Sequence, residues 1–229
     1  MSADHLTQVA QDYIKVIWSL QEWSTAEVTT KELAERLGVG ASTVSETVRR
    51  LAAQGLIDHQ RYGTISLTEL GVRNALAMVR RHRLLETFLV SELGYAWDEV
   101  HDEAEVLEHA VSDLLIDRID ARLGFPHRDP HGDPIPRKDG TIDAPEAVTL
   151  ALASDGTSGA VSRISDEDPE VLRYLAELGF GLDAHVVVRA RKDALGTIEL
   201  DWSPAEHPEH TAPLTLGLRA ADAIWIVTT

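Results

Sequence analysis

The chain has no cysteine. That excludes disulfides, thiolate zinc sites, iron–sulfur clusters and cysteine nucleophiles, and it fits a cytoplasmic protein. No apolar run reaches the roughly 18 residues that a membrane-crossing helix needs. The first residues lack the charged-then-apolar pattern of an export signal. The expectation is therefore a cytoplasmic chain with no membrane partner. Catalytic signatures are missing as well. There is no P-loop, no Gly-x-Gly-x-x-Gly and no Gly-x-Ser-x-Gly elbow. His101-Asp102-Glu103-Ala104-Glu105 is not H-E-x-x-H, because the closing histidine is absent. Gly179-Phe180-Gly181 lacks a strand-to-helix context and reads as a turn. No enzyme and no small organic substrate are expected. A metal-dependent hydrolase is kept as an alternative from another class, although no nucleophile or base motif supports it.

Excess positive charge is also lacking. The formal net charge is −17 over 229 residues, which on its face argues against a nucleic-acid binder. The charge is unevenly spread, however. Residues 1–75 are near −2 and residues 76–229 carry −15. A nearly neutral N-terminal part joined to an acidic body is suited to attract cations.

Residues 5–75 alternate short helical patterns with turn signals. A first helix is expected from about His5 to Trp23, with Val9, Tyr13, Ile14, Val16, Ile17 and Leu20 on its apolar side. Thr29 or Thr30 caps a short helix that stops at Gly38. Ser42 can cap another, Thr43 to Ala53, burying Val44, Val48 and Leu51. Leu56–His59 and Thr64–Leu67, around Tyr62-Gly63, form a small hairpin. This order is that of a winged helix-turn-helix, whose second helix enters the major groove of double-stranded DNA. Ser42, Thr43, Ser45, Glu46, Arg49 and Arg50 on the outward face, with Arg61 of the wing, are the candidate DNA contacts. Glu46 is unusual there, since a carboxylate is repelled by phosphate but accepts from a cytosine amino group.

Two long helices are expected next, Thr68–Leu93 and His101–Leu123, the second apolar at Ala104, Leu107, Val111, Leu114, Leu115 and Ile119. Such helices after a DNA reader serve a symmetric dimer. The proline-rich stretch 124–145 reads as a linker. Residues 146–229 show five or six short strands interrupted by a helix, Pro169–Leu178, and read as a small barrel.

Glu105-x-x-Glu108-His109 puts two carboxylates and an imidazole on one helix face. His82-x-x-x-Glu86 does the same on the preceding helix, and Asp12 can project the same way. Such hard oxygen donors with imidazole favour Mn²⁺ or Fe²⁺ over Cu⁺. Zn²⁺ binds by raw affinity but prefers fewer ligands.

The sequence resembles the diphtheria toxin repressor family of metal-dependent regulators along essentially its whole length. The likeness lies in Asp12-Tyr13-Ile14, Thr43–Val48, Leu67–Gly71, Arg81–Glu86, Val100–Glu105 leading to Glu108-His109, and Pro130–Pro136. The resemblance implies an α+β chain. Residues 1–75 would be the winged helix-turn-helix domain and 76–145 a helical metal-binding and dimerisation domain with its linker. Residues 146–229 would be an SH3-like or FeoA-like barrel. It implies a primary site of Asp12, His82, Glu105, Glu108 and His109. Iron-type members place Met and Cys where this chain has Asp12 and Glu105, so the match is to the manganese-responsive branch. Lys15 departs from members whose glutamate there helps bind two metals, because a protonated lysine cannot ligate. A second site is implied at Glu86, His131 and Asp166, with Asp129 where relatives have Cys. Iron-type relatives use the residues matching His101, His82 and Glu86, with two barrel ligands where this chain has Arg163 and Asp166, and Arg163 cannot serve. The first arrangement is therefore preferred, and His101 is read as a helix-start residue. At the recognition helix, Gly40, Ser42 and Glu46 replace Ser, Pro and Gln. The implied function is a homodimeric, Mn²⁺-dependent repressor of manganese-homeostasis genes, with Fe²⁺, Co²⁺ or Zn²⁺ able to bind in vitro. An iron-responsive regulator of the same fold is the alternative.

Overall fold

The structure is a computed structural model and describes residues 6–23, 26–59 and 64–229. It divides into two compact units. The first comprises residues 1–85, 105–122 and 135–142; the second comprises residues 86–104, 123–134 and 143–229.

In the first unit, α1 (Gln8–Glu22) starts where the Thr7 hydroxyl accepts from the Ala10 N–H. Its inner face carries Tyr13, Ile14 and Ile17, whereas Val9 is exposed, contrary to the expected stripe. Buried Gln11 and Lys15 widen that inner face in its place. α2 (Thr30–Leu37) opens on a reciprocal capping box. The Glu32 N–H donates to the Thr29 hydroxyl at 3.3 Å, and the Thr29 N–H donates to the Glu32 carboxylate at 2.8 Å. It ends at Gly38, whose φ of 65° is the left-handed conformation glycine adopts without strain. α3 (Ala41–Ala53) begins earlier than expected. Gly40 is its N-cap, the Gly40 carbonyl accepts from the Val44 N–H, and Ser42 lies inside the first turn with no capping role. Strands β1 (Ile57–His59) and β2 (Ile65–Leu67) pair antiparallel, Ile57 opposite Leu67. The expected hairpin tip, with Arg61, Tyr62 and Gly63, lies outside the described residues. Ile14, Ile17, Leu33, Val44, Val48, Leu51, Leu56 and Ile65 form one core. Burying each such side chain contributes about 1.5–3 kcal/mol before chain entropy is counted.

α4 (Glu69–Leu93) starts at Thr68, whose hydroxyl accepts from the Gly71 N–H at 3.0 Å. Arg83 on α4 holds Glu22 of α1 with both guanidinium nitrogens, at 3.0 and 2.6 Å. The expected second long helix is two helices, α5 (Val100–Leu107) and α6 (Asp113–Arg122). Ser112 explains the break. Its carbonyl accepts from the Ile116 N–H and its hydroxyl from the Leu115 N–H, so a new helix starts there. Ile116 and Ile119 face inward, while Leu114 and Leu115 are exposed.

The second unit holds β3 (Val148–Thr149), β4 (Ser158–Ile164), β5 (His185–Lys192), β6 (Thr197–Ser203), β7 (Ala212–Gly217) and β8 (Ile224–Thr228). They form one six-stranded sheet in the order β3-β8-β4-β5-β6-β7, and every pairing is antiparallel. The end strands β3 and β7 are not bonded to each other. α8 (Leu218–Asp222) packs against both β7 and the short 3₁₀ turn after β3. α7 (Pro169–Glu177) is capped by the Asp168 carboxylate. Val161, Ile164, Leu172, Leu175, Phe180, Val186, Leu200, Ile224 and Ile226 fill the interior, with Trp97 packed against it. Residues 128–134 fold onto the sheet. A Cβ at Gly132 would lie 2.0 Å from the Ser162 carbonyl oxygen, so only glycine permits this approach. Arg163, buried on β4, donates to Asp133 at 2.7 Å and stacks 4.3 Å above the Trp225 ring.

Candidate metal centre

In the first unit, Asp12 and Lys15 stand three apart on α1 and so share a face. α4 contributes His82, and α5 contributes Glu105. Glu108 and His109 lie in the turn just beyond α5, not on a helix face as the spacing predicts. Glu108 is the hub and has no exposed surface. One of its oxygens is 2.7 Å from His82 Nδ1, the other 2.6 Å from Lys15 Nζ and 3.6 Å from His109 Nε2. Lys15 Nζ also reaches Glu105 at 2.5 Å, and His109 Nε2 reaches Asp12 at 3.0 Å. Donor atoms of Asp12, Glu108 and His109 lie within 4.8 Å of one another, as do those of His82, Glu105 and Glu108. The structure thus brings together all five residues named for the primary site.

The electrostatics follow from burial. Desolvation opposes the Glu108 carboxylate, but the His82 hydrogen bond and the Lys15 charge overcome it and hold its pKa below the usual carboxylate value. Desolvation likewise opposes the Lys15 ammonium, yet Glu108 and Glu105 push its pKa up. For Asp12 burial dominates over the nearby cations and raises the pKa. Three carboxylates, two imidazoles and no sulfur form a donor set for a hard or borderline divalent ion. Sequence reasoning saw that Lys15 cannot ligate, but not that it joins two of the named carboxylates. It also missed Gln11, whose Oε1 lies 2.7 Å from His109 Nδ1 and so turns Nε2 toward Asp12. The signal in the sequence was a glutamine directly before Asp12.

In the second unit, His101 Nδ1 lies 2.8 Å from Asp166 and 3.3 Å from the nearly inaccessible Glu86. Burial disfavours a charged His101, but the hydrogen bonds to Asp166 and Glu86 outweigh it and push the pKa up to about 10. Of the four residues named for a second site, Glu86 and Asp166 come together, joined by His101. Asp129 and His131 lie outside that group. One Asp129 oxygen accepts from the N–H groups of His131 and Asp133 at 2.8 and 2.9 Å, which ties the loop. His131 is fully buried, stacks on Trp97 at 5.9 Å, and neither ring nitrogen has a hydrogen-bond partner among the described residues. A bare buried imidazole is costly, and a cation would relieve that cost.

On α3, Ser42, Thr43, Glu46, Arg49 and Arg50 are exposed. Ser45 is half-buried, and its hydroxyl donates to the Ala41 carbonyl. Thr47 is buried and does not share the outer face. Arg61 lies outside the described residues.

Residues 5–65 match the model of the iron-dependent repressor N-terminal DNA-binding domain. Residues 68–137 match that of the repressor's metal-binding and dimerisation domain, and residues 148–227 that of the FeoA domain. The iron-dependent repressor IdeR of Mycobacterium bovis is 36% identical over 133 residues, which cover 58% of this chain and 57% of that protein. The diphtheria toxin repressor of Corynebacterium jeikeium is 32% identical over 168 residues, covering 72% of this chain and 70% of the relative. A solved manganese-dependent transcriptional repressor in complex with manganese superposes with a TM-score of 0.91 at 60% identity, over 96% of this chain and 100% of that one. The structure of the manganese regulator SloR superposes at 0.78 with 29% identity, over 96% and 98%. With the reader, the helical domain and the FeoA-like sheet domain all matched in order, the chain belongs to the diphtheria toxin repressor family of metal-dependent transcriptional regulators.

Proposed function

We propose that the chain is a manganese-activated homodimeric repressor acting on double-stranded operator DNA in the cytoplasm. Residues 1–75 would read DNA, 76–145 would bind metal and dimerise, and 146–229 would form the accessory domain. The observation that carries this reading is Asp12. It sits on α1, packed in the same core as the recognition helix α3, and shares a donor set with His109 and Glu108. An ion held by Asp12, His82, Glu105, Glu108 and His109 would supply the positive charge that fastens α1 to the helical domain. Such an ion favours the conformation in which α1 is docked, and so biases the pose of α3. Ser42, Thr43, Glu46, Arg49 and Arg50 then meet the major groove, with Ser45 beside them, and Arg61 is kept as a candidate contact of the wing. Lys15 holds Glu105 and Glu108 while no ion does, and it supplies a fixed positive charge that leaves room for one divalent ion in this cluster. The sulfur-free donors support Mn²⁺, as does the likeness to the manganese-bound repressor. Glu86 and Asp166, with His101, supply a second set, while Asp129 shapes the loop that carries His131.

An iron-responsive regulator is the second reading, favoured by the relatives named as iron-dependent. Fluorescence anisotropy on a labelled duplex from upstream of a manganese-transporter gene separates the two at one fixed salt concentration. The expected result is no binding with chelator, tight binding with Mn²⁺ and a weaker response to anaerobic Fe²⁺. His109→Ala is expected to abolish the Mn²⁺ response while the protein stays folded and dimeric. Equal responses to both metals would withdraw the manganese assignment. An unchanged response in His109→Ala would remove the primary site.

A further inference from the structure

The loop between β6 and β7 carries a cluster that the reading above does not use. Trp202 pairs with Ala212 at its base, so the sheet closes the loop. Two turn bonds fold it, from the His207 N–H to the Pro204 carbonyl at 3.2 Å and from the His210 N–H to the His207 carbonyl at 2.9 Å. The second turn brings the rings of His207 and His210 together, with centroids 5.4 Å apart at 29°. Glu209 reaches both. One of its oxygens lies 3.5 Å from His207 Nδ1 and 3.8 Å from His210 Nε2. One donor atom from each residue falls within 4.8 Å of the others, and all three residues are exposed.

These separations are longer than a good hydrogen bond of about 2.7–3.2 Å. They approach the roughly 3.3–3.4 Å between ligand atoms of a tetrahedral ion with bonds of about 2.0–2.1 Å. Two imidazoles and one carboxylate are the donors of zinc sites that keep a position open to water. Pro208, between the two histidines, restricts the backbone, so less freedom is lost on closing around an ion. Glu206 adds a neighbouring negative charge. The set is richer in nitrogen than the Glu108 cluster and therefore suits a borderline ion better than Mn²⁺.

We propose that His207, Glu209 and His210 form a separate divalent-cation site on the C-terminal sheet, selective for ions of the Zn²⁺ class. The proposal does not depend on the repressor reading. The test is calorimetric titration of Zn²⁺ into the full-length chain and into a His207→Asn/His210→Asn variant, whose changes are exposed and leave the core intact. The variant is expected to bind one Zn²⁺ fewer per chain, with its Mn²⁺ isotherm and melting temperature unchanged. The same difference of one is expected in a Glu108→Gln background, which shows that the lost ion is not the buried cluster's. In the parent chain, Co²⁺ is expected to give the visible absorption of a tetrahedral site, and Glu209→Gln to weaken Zn²⁺ there about tenfold or more. Equal zinc counts in the parent and the double variant would overturn the proposal.

Discussion

Around Glu108 the internal cation is a lysine, and around Glu86 it is a histidine. Both carboxylates are almost wholly buried, and each is accompanied by a second acid, Glu105 or Asp166. The difference lies in what each cation does when a metal arrives. A charged lysine has no lone pair, so Lys15 competes with an incoming ion for the same oxygens. A histidine that sheds its proton becomes a ligand, so His101 can change from counter-ion to donor. On the proposed reading, the first cluster would oppose metal until enough is present, whereas the second would recruit its own neutraliser.

The strongest way to break this comparison is Glu108→Ala. It leaves Lys15 buried with Glu105 alone, and removing one partner of a buried pair costs about 3–5 kcal/mol. Urea unfolding in chelator is expected to show that loss, and calorimetry to show no high-affinity Mn²⁺ binding. A change below about 1 kcal/mol would mean that the pair is effectively solvated. Lys15→Met sharpens the contrast. The metal-free protein is expected to lose stability because the carboxylates repel. Mn²⁺ is expected to bind about tenfold tighter, since one positive charge no longer faces the ion. Weaker binding would show that Lys15 shapes the site instead of opposing the ion. A third test is a pH dependence. The folded-state pKa of His101, about 10, stands above its ordinary 6.5. Its contribution to stability is therefore complete below about pH 6.5 and is lost as pH rises through 10. In chelator, the melting temperature of the parent is expected to fall over that range, and His101→Gln to flatten the fall. Identical slopes would remove the ion pair from the account.

How much of this was legible in the sequence differs by element. The reader was legible because its signals are local: Thr29 with Glu32, Gly38, and the spacing of Val44, Val48 and Leu51. The break after α5 was readable too, since Ser112-Asp113 is a helix-start signal, but the apolar spacing through Val111 to Ile119 masked it. The five donors of the Glu108 cluster could be named because their spacing and the resemblance agreed. Their wiring could not. The reach of Lys15 to Glu105 spans 90 residues, and nothing local encodes it. Asp129 and His101 show what a family resemblance leaves open. Whether an aspartate ties a loop or holds an ion depends on which N–H groups face it, and that is decided by packing.

The tight approach of Gly132 to β4 bears on where the chain can be cut. The FeoA match begins at residue 148. A fragment started there would keep all six strands but lose Asp133, leaving Arg163 inside the fold without that carboxylate. It would also lose Trp97 from against the interior. The sheet thus shares a wall with the preceding loop, and its independence as a folding piece ends where that loop begins.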